Sequence, residues 1–255
     1  MAGEHGEHES ARRGRGPARD TRAWIFVSHS HSDLTKVRRV RDELEALGHN
    51  PLLFFLKCLG DDDEIDSLIR REIEARTWFV LCDSANARTS RWVQSEVEII
   101  KDLAGKVYEV IDLDGDIEEQ LDRIARLARQ ATVFMSYADA DRPLAEQLKV
   151  TLRALDYAVW DARTDLAAGE RWEQAIRDAV DRAMRNGAYM VLISPDSLRS
   201  PWLLRELESA LELERQEGRG KVRPVLVRGV TAEDLPGNLR HLDFTVLNSD
   251  GSLSG

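Results

Sequence analysis

The sequence predicts an α/β chain built from two flavodoxin-like, doubly wound domains with parallel sheets, and three observations carry that expectation. Apolar strand-like runs alternate with amphipathic helical stretches from residue 24 onward, the order that gives parallel strands covered by helices on both faces. The alternation runs through one pattern twice. Ala23-Trp24-Ile25-Phe26-Val27-Ser28 is matched by Ala131-Thr132-Val133-Phe134-Met135-Ser136 at an offset of 108. Two tryptophan–glutamate pairs of equal spacing, Trp92 with Glu96 and Trp202 with Glu206, stand 110 residues apart. Each pair follows an apolar run and a serine-rich turn: Trp78 to Cys82 then Ser84 to Ser90, and Tyr189 to Ile193 then Ser194 to Ser200.

Residues 1–21 are rich in Gly, Glu, His and Arg and bury too little apolar surface to offset ordering, so a disordered tail is expected. A first domain over 22–130 reads as strand 24–28, helix 33–47, strand 51–56, helix 64–75, strand 77–82, helix 90–103, strand 106–112 and helix 117–129. A second over 131–248 reads as strand 132–136, helix 141–155, strand 157–161, helix 169–185, strand 188–193, helix 201–216, strand 222–227 and a short strand near 243–247, before a tail at 249–255. The helix starts at Asp33 and Asp141 keep the 108 offset, so two residues are gained between the first helix and the serine turn. With no obvious fifth strand in the first copy and almost no linker, the two domains are expected to pack together.

Composition narrows the function. A net charge of −10 argues against a phosphate backbone or an anionic membrane as the main partner. No apolar run approaches the roughly 20 residues of a membrane span, and the amino terminus lacks a signal-peptide core, so a cytoplasmic protein is expected. Cys58 and Cys82 have neither the number nor the spacing of a zinc site or a disulfide framework. His5 and His8 lack companion ligands, and no metal is expected. Neither a Gly-x-Gly-x-x-Gly fingerprint nor a phosphate loop occurs, which disfavours an ordinary dehydrogenase or ATPase.

Ligands of such sheets bind beyond the carboxyl ends of the strands. The loops there are Ser28 to Asp33 and Ser136 to Asp141, those after each second strand, and the serine turns. A residue four positions along a helix lies about 40° round from its start, so Glu96 and Glu206 share a face with their tryptophans while Glu98 and Glu208 do not.

These residues together resemble the Toll/interleukin-1 receptor (TIR) domains, bacterial members above all. In the second copy, Val133-Phe134-Met135-Ser136-Tyr137 is similar to the family's opening strand and box. Val159-Trp160-Asp161 with Asp165 to Glu170 is similar to its second strand and BB loop, and Leu192 to Pro195, Ser200-Pro201-Trp202 and Arg205-Glu206-Leu207 to its third strand, turn and catalytic helix. The first copy matches in outline through Phe26-Val27-Ser28-His29 and Trp92 to Glu96, but its BB region runs into Asp61-Asp62-Asp63-Glu64. Four acids there repel a pyrophosphate, or serve the amino end of the next helix.

The resemblance implies an NAD glycohydrolase or cyclase that needs no cofactor, takes NAD as substrate and releases an ADP-ribose-type signal in antiphage immunity. Glu206 is the first candidate for the carboxylate that steadies the oxocarbenium ion, and Glu96 the second. Ser136, Tyr137, Asp139, Trp160, Arg163, Arg171 and Trp202 are the expected substrate-binding residues of the second copy, and Ser28, His29 and Trp92 those of the first. Self-association through TIR domains and a downstream effector reached by the nucleotide product are the implied partners. The alternative is a non-catalytic scaffold that recruits other TIR domains.

Overall fold

The computed structural model describes residues 22–54, 62–161, 180, 184–185, 187–217, 221–237, 239–240, 242–248 and 253–254. They form two sheets of the expected parallel α/β kind. In the first, β1 (Trp24–Ser28), β2 (Asn50–Leu52), β3 (Trp78–Asp83) and β4 (Val107–Asp112) lie in the order β2-β1-β3-β4, all parallel. Successive side chains of a strand point to opposite faces, and both faces here are apolar. Ile25 and Val27 face α1 (Leu34–Ala46) and α5 (Ile117–Gln130), while Phe26 faces α2 (Asp62–Ala75) and α4 (Arg91–Asp102). The serine turn expected before α4 is itself coiled, with a short helix α3 (Ala85–Thr89) opened by Ser84, whose hydroxyl accepts from the Ala87 amide at 2.9 Å.

The second sheet contains β5 (Thr132–Ser136), β6 (Ala158–Asp161), β7 (Ala188–Ile193), β8 (Lys221–Leu226), β9 (Thr245–Leu247) and β10 (Leu253–Ser254), in the order β10-β9-β8-β7-β5-β6. Helix α6 (Arg142–Ala154) covers one face and α7 (Pro201–Glu217) the other. β10 pairs antiparallel to β9 and was not expected; two residues carry too little pattern to read. Most of the expected helix 169–185 and the tail 1–21 lie outside the described residues. Among the described residues no helix is long and apolar enough to cross a membrane.

The two copies touch at a built junction. α5 ends at Gln130 and β5 begins at Thr132. The carboxylate of Asp156, in the turn after α6, accepts from the Arg76 guanidinium at 3.1 Å and from the Thr77 amide at 3.3 Å. Beside it the Tyr157 ring meets Trp78 edge-on, with centroids 5.0 Å apart. The backbone explains why an aspartate is notable there. Gly48 closes α1 at φ 84°, and Asp156, 108 residues later, closes α6 at φ 58°; the next amides, His49 and Tyr157, bond back to Leu44 and Leu152 in the same way. A left-handed helix end favours glycine, so Asp156 tolerates a strained position where its carboxylate joins the copies.

Asp156→Ala should therefore lose the junction contacts and keep the strain, whereas Asp156→Gly loses the contacts and relieves it. In urea denaturation both should fall below the wild type by about 2–3 kcal/mol, with the alanine variant lower by about a further 1 kcal/mol. An alanine variant as stable as the wild type would show that the contact contributes nothing.

Candidate functional site

The carboxyl ends of the strands carry one arrangement twice. Ser28 ends β1 and Ser136 ends β5. The Ser28 hydroxyl donates to Glu96 Oε2 at 2.5 Å, and the Ser136 hydroxyl donates to Glu206 Oε2 at 3.4 Å. Both glutamates are buried, 6% and 7% exposed. Local sequence places them there: Ser90 opens α4 by accepting from the Val93 amide, and Ser200 opens α7 by accepting from the Leu203 amide. Each glutamate then falls in the second turn, on the face turned toward the sheet.

In the first copy Glu96 lines a cleft of about 300 Å³, together with Phe26, His29, Phe54 and Trp92, while Ser28 is buried behind it. Trp92 and Glu96 share the cleft as their spacing predicts, while Glu98 is exposed. The Arg91 guanidinium lies over the Trp92 ring, 4.4 Å from its centroid, which steadies the indole at the rim. Burial raises the Glu96 carboxyl to about 7, with the Ser28 hydrogen bond opposing the rise. His29 lies with Nδ1 2.9 Å from the Val27 carbonyl, and burial lowers its pKa, so it sits neutral beside the carboxylate at neutral pH.

The second copy distributes the expected residues differently. Arg163, Arg171 and the BB loop lie outside the described residues, as does the side chain of Trp202. Asp139 is exposed and pairs with Arg142 at 3.1 Å. Trp160 is half-buried against Phe134 with centroids 6.1 Å apart. Tyr137 requires a correction, because it does not line the loop surface: it is 1% exposed in the core. Its hydroxyl donates to Asp161 at 2.7 Å. Burial and that carboxylate both push its pKa up. Lys149, 2% exposed, reaches Asp161 at 2.7 Å and Glu146 at 2.6 Å with its ammonium, and the Tyr137 hydroxyl joins it on Asp161 in one polar network.

Sequence reasoning missed that network, and it missed the role of two aspartates. Asp33 and Asp141 mark the helix starts but make no side-chain cap to them. Asp33 instead accepts from the Ser84 hydroxyl at 2.6 Å and the Asn86 amide at 2.8 Å. Asp141 accepts from the Ser194 hydroxyl at 2.5 Å and from Arg228 at 2.9 Å. The available signal was the serine recurring at 84 and 194, the same 110 offset as the glutamates. Among the described residues no cluster of three or more His, Cys, Asp or Glu side chains is placed to hold a metal ion. Cys82 is buried, and its thiol is pushed up by that burial, which makes it unreactive.

A carboxyl raised from 4.5 to about 7 binds its proton more tightly folded than unfolded. Stability from this group is thus full below about pH 4.5 and is lost as pH rises through about 7. Glu96→Gln should stabilise the protein at pH 8, by up to about 3 kcal/mol, with the gain falling below about 1 kcal/mol near pH 5 and vanishing below about pH 4. Denaturation midpoints of the two proteins at both pH values measure it. An equal effect at both would contradict the buried, proton-linked carboxylate.

Comparison with known proteins places the chain in a family. A stimulator of interferon genes protein of Magallana gigas is 32% identical over 118 residues, which are 46% of this chain and 28% of that protein; the chain thus spans under a third of that relative's length. A solved metazoan TIR-STING receptor from C. gigas is 31% identical, with TM-score 0.39, over 46% of this chain and 37% of that one. The TIR domain of a Toll-related receptor from Hydra magnipapillata aligns at 22% identity and TM-score 0.37, over 45% of this chain and 82% of its own. The sequence model of the TIR domain matches residues 25–126 and again 133–252, and the chain belongs to the TIR domain family, with two copies in tandem.

Proposed function

We propose that this chain cleaves the nicotinamide–ribose bond of NAD, releasing nicotinamide and, after attack of water or an internal nucleophile, a linear or cyclised ADP-ribose. The observation that supports it is the twofold occurrence of a buried glutamate hydrogen-bonded to the serine that ends the first strand of its copy. Departure of neutral nicotinamide leaves positive charge on the ribose. A carboxylate held in a low-dielectric cleft stabilises that charge more than water does, and it accepts hydrogen bonds from ribose hydroxyls. With water as the acceptor, NAD⁺ and H₂O give nicotinamide, ADP-ribose and a proton.

Glu206 leads in this reading because its copy carries the fuller family pattern, and Glu96 is second with the described cleft. The name of the Magallana relative, a stimulator of interferon genes protein, supports an immune signalling role, with the nucleotide product passing to a separate effector. Self-association of TIR domains completes the assembly. A second reading, a non-catalytic scaffold, is favoured by the open strand edge described below.

Nicotinamide release by the purified chain tests the enzyme against the scaffold. Glu206→Gln should retain the fold and lose at least about 100-fold in rate, roughly 3 kcal/mol of transition-state stabilisation. If the rate falls in Glu96→Gln and holds in Glu206→Gln, the site is in the first copy. A rate that rises as pH passes about 7 would point the same way, because Glu96 ionises there. No release by the wild type, or wild-type release retained by both variants, would remove these carboxylates from any such reaction.

A further inference from the structure

The two copies differ at one edge of their sheets. In the second, the outer edge of β8 is covered by β9, with Val225 and Leu226 paired to Thr245 and Val246. In the first, the corresponding strand β4 is the last of its sheet, and among the described residues no strand pairs with its outer side. Val107 and Leu113 send their amides inward to Thr77 and Asp83. Backbone groups alternate sides along a strand, so Tyr108 and Val110 present theirs outward. Both side chains are exposed for apolar residues, 39% and 40%. Hollows of about 330 Å³ and 320 Å³ both reach Val110, one against α4 and the other against α5. An unpaired edge with apolar side chains is a template for another strand.

We propose that this edge pairs with the same edge of a second copy of the chain, β4 against β4, antiparallel about a two-fold axis at Glu109. Three features favour that occupant. First, the register is self-consistent: residues opposite one another sum to 218, so Tyr108 faces Val110 of the second copy and Val110 faces its Tyr108. Those are the outward-directed residues, and each such pair exchanges two backbone hydrogen bonds. Shifting the register by one pair in the carboxyl direction sets Tyr108 opposite Asp112, whose carbonyl is already occupied by the Gly115 amide.

Second, charge is complementary. α5 packs on β4 and is acidic at its start, with Glu118, Glu119 and Asp122, and basic at its end, with Arg123, Arg126 and Arg129. The two-fold sets α5 antiparallel to its mate, acidic half toward basic half, with helix dipoles opposed. Third, the residue on the axis is prepared for the meeting. Glu109 faces Glu109 of the second copy, and each carboxylate already lies 3.6 Å from Arg123 and 3.7 Å from Arg126 of its own chain. A closed two-fold contact of this kind stops at the dimer. It stands independently of any reaction at Glu96 or Glu206.

Sedimentation velocity of the full chain across micromolar concentrations, with cysteine cross-linking, tests it. The wild type should dimerise, and Val110→Lys, at an exposed position that leaves the fold intact by circular dichroism, should weaken dimerisation by about tenfold or more. In a Cys58→Ser background, Glu109→Cys should form a covalent dimer on oxidation, since directly opposed non-hydrogen-bonded residues lie about 4.5 Å apart at Cα, within reach of a disulfide. Val110→Cys in the same background should cross-link far less, because its opposite residue is Tyr108. A monomeric wild type would overturn the proposal, as would a dimer indifferent to Val110→Lys or a Val110→Cys cross-link as efficient as that of Glu109→Cys.

Discussion

A buried aspartate in each copy holds together the end of the sheet on which everything else depends. Asp33 and Asp141 sit where the loop after the first strand turns into its helix, and each accepts a short hydrogen bond from the serine that opens the turn after the third strand. A charged group 5% or 1% exposed is costly unless its lone pairs are filled. Here they are filled by a serine and Asn86 in one copy, and by a serine and Arg228 in the other. Because the two loops are tied, the helices that follow leave the sheet at set positions, and Glu96 and Glu206 reach back to Ser28 and Ser136. Arg228 holds its own place at φ 55° through Asp141 and Asp196.

The buried glutamates repeat that economy with a different purpose. An aspartate ringed by donors is part of the scaffold. Glu96 has the Ser28 hydroxyl and a cleft, and burial raises its pKa to about 7. A carboxyl left so near the working pH in an open concavity is where functional chemistry is concentrated. The Lys149–Asp161–Tyr137 network is the opposite case, three buried side chains that satisfy one another, with Lys149 also reaching Glu146 nearer the surface. It ties α6 to the end of β6, immediately before the segment expected as the BB loop.

The fold was legible because its signal is redundant. Apolar runs such as Phe79-Val80-Leu81 and Val191-Leu192-Ile193 are buried on both sides, and the order of strands and helices is written twice, at an offset of 108 and then 110. The Trp–Glu spacing likewise located the glutamates, because helical geometry alone sets a residue four positions on beside its predecessor. What stayed hidden depends on contacts between distant segments. Tyr137 reads as a loop residue until Asp161, 24 positions on, draws its hydroxyl inward. Lys149 occupies the apolar side of an amphipathic helix, where a charge is unreadable without its partners. Asp156 passes for an ordinary turn aspartate until its left-handed backbone and its contact with Arg76, 80 positions away, are seen together.

The duplication has thus kept the Ser–Glu pair and changed its surroundings: a four-acid run and a strand edge unpaired among the described residues in the first copy, a covered edge and a buried lysine network in the second. On the proposed reading these glutamates face the ribose of a bound dinucleotide. The most direct measurement is a crystal structure of the chain with a non-cleavable carbocyclic NAD analogue. The nicotinamide-side ring should lie within hydrogen-bonding distance of Glu206, or of Glu96 where the first copy holds the site. An analogue bound elsewhere with both carboxylates uncontacted, or no binding at saturating concentration, would contradict it.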